Sequence, residues 1–233
     1  MRRVQIIEPH KLMDALITKV GVDIPVARVH EYWRVHRDEL KEDWAVASPA
    51  SRDHIPFAFY GDSAKIHDDG TKIVGIFITF PAVWRPKSAR NGRWCLFALE
   101  EHKLYGHHTM HYVLQRFVYS ANLLFNGVDP DDNSKFLAGG RKFVVTELKG
   151  DWQWHKLTMR FVSSWQNLKT VCFLCDAKGR SAGDPGMLYY CMDENPKWNH
   201  YDLQGFLANQ MAGVVDPCLS TRTGRGGLNS GFQ

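Results

Sequence analysis

No stretch of this chain stays apolar and uncharged over the roughly 20 residues that a membrane-crossing helix needs, so the sequence predicts no membrane span. The opening, Met1-Arg2-Arg3-Val4-Gln5, is not followed by the apolar core of a secretion signal. Cysteine is scarce and odd in number: five residues cannot close into a full disulfide framework, which fits a reducing compartment, and one C-x-x-C pair makes metal binding the livelier use. Charge of one sign is also lacking. With 29 basic residues against 25 acidic, the net charge of +4 permits contact with a polyanion without requiring it. Internal repeats are absent, and compositional bias is confined to the Gly-, Ser-, Thr- and Arg-rich tail at 220–233, which predicts a mobile end. These absences together predict a soluble intracellular protein.

Hydrophobic residues at 44% and charged residues at 23% are ordinary globular values, and 233 residues suffice for one main core. Residues 10–20 carry Leu12, Ala15, Leu16 and Val20 near helical spacing before Gly21. A second helix is expected from Pro25 to Trp44, with Val26, Val29, Trp33, His36 and Leu40 on one stripe and Asp38, Glu39, Lys41 and Glu42 on the wetted side. His30 and His36 read as residues at the edge of that stripe. The Pro- and Ser-containing stretch 47–53 is a loop.

Three strand candidates follow at 54–66, 72–80 and 93–99, separated by HDDGT and RPKSARNG, whose Asp-Gly and Asn-Gly pairs favour hairpins. Residues 106–125 repeat apolar side chains at steps of three and four: Met110, Val113, Leu114, Phe117, Val118, Ala121, Leu124 and Phe125, ending at Gly127. A fourth strand, rich in β-branched and large apolar residues, runs from Phe143 to Leu148 between glycines. Three strands in a meander, a helix and then one more strand is how a mixed α/β sheet inserts a parallel strand.

Two of these strands carry the same device. Asp62 interrupts the first, in PFAFYGDSAKI, and Asp151 closes the fourth, with His155 just beyond. If the strands are neighbours the carboxylates converge, and two acids that close together call for a divalent cation. Hard oxygen ligands suit Mg²⁺ or Mn²⁺, which can activate a water or a 3′-hydroxyl in phosphodiester chemistry. The bland alternative is a pair of surface Gly-Asp turns in an unrelated α+β domain.

The pattern Gly61-Asp62-Ser63-Ala64, a strand ending in Phe80-Pro81, Gly150-Asp151 and then Val171-Cys172-Phe173-Leu174-Cys175-Asp176 resembles the catalytic core of eukaryotic DDE-type transposases, and among them the CACTA-like and Kyakuja/Dileera/Zisupton elements. The likeness covers roughly 54–178. It implies a ribonuclease H-like mixed sheet, Asp62 and Asp151 as the first two catalytic, metal-binding acids, DNA as partner and nuclear residence, and it leaves room for a homo-oligomer. The family's third acid is unmatched: Asp193, Glu194, Asp202 and Asp216 are available, but none stands in a matching setting. The resemblance thus implies either a nuclease or transferase or, as the alternative, a non-catalytic DNA- or chromatin-binding module on the same fold.

Cys172 and Cys175 are spaced to reach one Zn²⁺ from a tight turn, with His155, Cys191 and His200 as candidates for the remaining ligands. Two buried apolar cysteines are the plainer reading. Trp152 and Trp154 follow closely on Asp151 and are candidates for stacking on an unpaired base, though packing is their commoner use. Arg85, Lys87, Arg90 and Arg93, between the second and third strands, are candidates for phosphate contact, or else a solvated hairpin tip. The expected organisation is an N-terminal helical segment at 1–50, the ribonuclease H-like core at 51–170, a cysteine-containing zinc-type insert at 171–219 and the tail at 220–233.

Overall fold

A computed structural model describes residues 4–155 apart from 67, 82, 85–91, 133 and 152–153, together with 199, 204, 205 and 208. The chain divides into two compact units, Met1–Trp154 and His155–Gln233. In the second unit the described positions 155, 204, 205 and 208 are helical. The sheet lies in the first.

Short runs of β-branched and aromatic residues produce that sheet. The strands are β1 (Ile55–Lys65), β2 (Lys72–Thr79), β3 (Trp94–Glu100) and β4 (Phe143–Gly150). They lie in the order β3-β2-β1-β4, with β1–β2 and β2–β3 antiparallel and β1–β4 parallel. The expected α/β architecture, a meander with a returning fourth strand, is therefore observed as an open four-stranded mixed sheet. The parallel step requires a crossover, and α4 (Gly106–Asn126) supplies it. Gly127 ends α4 in the left-handed conformation, φ 73°, with its N–H on the Leu123 carbonyl, a cap that glycine makes without a Cβ penalty.

Both faces of the sheet are covered where β1 is buried without a break from Ile55 to Phe59. Phe57, Phe59, Ile76, Ile78, Leu96 and Phe97 are buried, and the Phe59 ring stacks on Phe117 of α4 with centroids 5.5 Å apart. Helix α4 does not bury the whole expected stripe. Met110, Val113, Phe117 and Leu124 are inside, but Val118 is 61% exposed and Ser120 is fully buried. Ser120 faces α1 (Pro9–Thr18), where its hydroxyl accepts the His10 backbone N–H at 2.7 Å and lies 2.8 Å from His10 Nδ1.

The helix expected from Pro25 to Trp44 is not continuous. Helix α2 (Val26–Trp33) passes into a π-helical turn, Arg34–Glu39, and the chain then bends through Lys41 at φ 51° before α3 (Asp43–Val46). A π turn holds an extra residue and so rotates the later side chains out of register with the earlier ones. Val29 and Trp33 are buried, Leu40 beyond the π turn is exposed, and so is Val26 in the first turn of α2, which corrects the expected stripe. Two contacts tie this segment to the stretch that leads into β1. Trp33 Nε1 donates to the His54 carbonyl at 2.8 Å, and Arg37, stacked on the Trp33 ring, donates to the carbonyls of Ala45, Ser48 and Ala50. His30 pairs with Asp53 and His36 with Glu42, so both histidines serve as surface ties. No helix among the described residues is long and apolar enough to cross a membrane.

Candidate functional site

The site is made by a single extra residue in β4. Phe57 of β1 pairs with Val145, but Ala58 pairs with Glu147, so Thr146 is left over as a bulge. The one-residue step carries through the rest of the ladder and sets Gly61 opposite Gly150. Asp62 and Asp151 come directly after these glycines, on strands that run the same way about 4.8 Å apart. Without the bulge, Asp62 would stand one rung out of step with Asp151.

Each carboxylate is held in place. Asp62, half-buried, receives the Tyr60 hydroxyl on Oδ2 and the Ser63 N–H on Oδ1, both at 2.7 Å. Tyr60 and Asp62 share a face because strand residues two apart do. The hydrogen bond to Asp62, with burial behind it, raises the Tyr60 pKa above the usual tyrosine value. Arg93 is exposed and lies with its guanidinium 4.5 Å from the Tyr60 ring centroid, and Lys149 stands opposite Tyr60 on β4.

Asp151, exposed, accepts the Trp154 N–H on Oδ1 at 2.6 Å. The Trp154 ring is anchored as well. Trp154 is 4% exposed and lies over the paired glycines: a Cβ on Gly61 would fall 1.7 Å from Trp154 Cε2, and one on Gly150 would fall 2.7 Å from Trp154 Cε3. The two glycines form a notch for the indole. Trp154 thus packs its ring against the two strands.

Asp62 and Asp151 offer hard oxygen donors, and among the described residues neither forms an ion pair with Lys or Arg. Such a pair fits Mg²⁺ or Mn²⁺, which protein sites commonly hold by one or two carboxylates with water and phosphate oxygens completing the shell. Among the described residues no three His, Cys, Asp or Glu side chains gather as a metal-binding group. His155 is half-buried and belongs to the second unit. Arg85, Lys87, Arg90, Trp152, Cys172, Cys175, Cys191, His200, the four later acids and the tail lie outside the described residues.

Sequence reasoning missed Tyr60, Lys149 and the glycine notch. The Tyr-x-Asp spacing on a strand was the available signal for the first; nothing local announces the other two. No family model, no curated protein and no solved structure matches the chain.

Proposed function

We propose that this chain is a ribonuclease H-like, DDE-type polynucleotidyl-transferase or nuclease domain acting on DNA phosphodiester bonds with Mg²⁺ or Mn²⁺. The observation that supports it is the pairing of Gly61 with Gly150 on adjacent parallel strands, with an aspartate directly after each. Strand order 3-2-1-4, with only β4 parallel to β1, is the arrangement that this reading requires.

In this reading Asp62 and Asp151 hold the metal, which when bound supplies activation of a water or 3′-hydroxyl and charge stabilisation at the leaving oxygen. The chain's own part is positional. Tyr60 and Ser63 fix Asp62, the Trp154 N–H fixes Asp151, and Arg93 and Lys149, the latter paired with Glu147 at 2.7 Å, stand beside Tyr60 as cations suited to phosphate oxygens. Cys172 and Cys175, with two of His155, Cys191 and His200, would form a separate structural zinc site. DNA as partner, self-association and nuclear residence belong to the same proposal.

The test is strand nicking of end-labelled DNA in Mn²⁺ by the full chain and by Asp151→Asn. Loss of a metal-binding acid should lower the rate by more than the roughly 10- to 100-fold that an outer-shell partner costs. Equal nicking by both would remove the assignment. Salt-dependent DNA binding by both, with nicking by neither, would move the protein to the binding-module alternative.

A further inference from the structure

Both oxygens of the Asp62 carboxylate are occupied by donors from its own strand, one from the backbone and one from a side chain. An aspartate carboxylate otherwise turns readily, because its terminal torsion is broad and roughly two-fold. The Ser63 N–H comes with the backbone and would be there for any residue. The Tyr60 hydroxyl is there because a tyrosine occupies the same-face position two residues earlier.

Strand β2 offers no substitute. Opposite Asp62 on β2 stands Gly75, and the Phe77 ring fills the space above it, so that a Cβ there would fall 2.7 Å from Phe77 Cε2. Asp62 is thus bordered on that side by an aromatic ring. Tyr60 is in turn held from above by Arg93, and it lies 6.3 Å from Phe77, centroid to centroid.

We propose that Tyr60 is a positioning residue: its hydroxyl fixes the orientation in which Asp62 presents its carboxylate to a divalent cation, and Arg93 holds the ring in place. The inference rests on the reading of Asp62 and Asp151 as a metal pair. Hydrogen-bond partners of ligating carboxylates typically contribute 10- to 100-fold to metal affinity.

The experiment is Mn²⁺ titration of the full-length chain without DNA, followed by electron paramagnetic resonance of the free ion. Four proteins are compared: wild type, Asp62→Asn, Tyr60→Phe and Phe77→Leu, each with a thermal melt. Tyr60→Phe keeps the ring beneath Arg93 and deletes one hydroxyl; Phe77→Leu disturbs the same face without touching a carboxylate. The expected result is Mn²⁺ binding that Asp62→Asn abolishes, that Tyr60→Phe weakens by about 10- to 100-fold at unchanged melting temperature, and that Phe77→Leu leaves within about threefold of wild type. Equal affinity in wild type and Tyr60→Phe would overturn the role of Tyr60 while leaving the metal pair intact. Equal weakening by Tyr60→Phe and Phe77→Leu would also overturn it, by showing general loosening of the face. A wild type that binds no Mn²⁺ would instead overturn the metal pair, and the role of Tyr60 with it.

Discussion

Gly61 and Gly150 are bare because an indole occupies the space their side chains would fill. Both bear on the site through Trp154, whose ring sits on them and whose N–H holds Asp151. Overpacking a filled position typically costs about 1–3 kcal/mol, and a Cβ driven into the Trp154 ring belongs at the upper end. Gly61→Ala should therefore lower stability by about 3 kcal/mol. The same change made in a Trp154→Ala background should cost much less, with a coupling of about 2 kcal/mol or more. Urea denaturation of the four proteins closes the cycle, and additive effects would show that the notch is not what holds the ring. At this scale the two Gly-Asp dipeptides were legible from the residues alone. That Trp154 packs was not, because burial depends on what the fold brings over it.

At the scale of elements, two neutral histidines join segments that are far apart in sequence. His10 at the start of α1 meets Ser120 of α4, and His54 Nε2 donates to the carbonyl of Phe125 in the last turn of α4 while its Nδ1 accepts the Ser51 N–H. Both are nearly fully buried, and burial pushes both below the ordinary histidine pKa. A lowered folded-state pKa means the unfolded chain takes up the proton first. Stability is then full above the ordinary histidine value near 6.5 and drains away as pH falls through the lower folded values. The melting temperature should accordingly drop between pH 7.5 and pH 5, and the drop should shrink in His10→Asn. An unchanged slope would mean that His10 is not protonated on unfolding in that range.

Strand and helix positions were largely readable, because period 2 and period 3.6 are local properties of the chain. The break after Trp33 was not. It depends on a π turn and on Arg37 reaching three carbonyls beyond it, a contact that the apolar stripe does not encode.

For the whole molecule, the proposed zinc site is the part that the described residues leave to experiment. Metal analysis of the full chain purified without chelator should find about one equivalent of zinc, and Cys172→Ser should lose it. A metal-free sample that melts as the wild type does would remove the assignment. The near balance of 29 basic and 25 acidic residues was legible from composition and excludes a strongly one-signed surface, but it does not say where the cations gather.

Composition and periodicity were enough to establish a chain with a helical prelude, a three-stranded meander, a long helix and a returning strand, since each comes from local spacing and from turn residues. They were also enough to single out Asp62 and Asp151. That these acids stand at matching rungs of adjacent strands was settled by folding, through the unpaired Thr146 that shifts β4 by one residue and brings Gly150 level with Gly61. Register is a relation between two strands some ninety residues apart in the chain, fixed by the packing of both faces at once, and neither strand's own residues contain it.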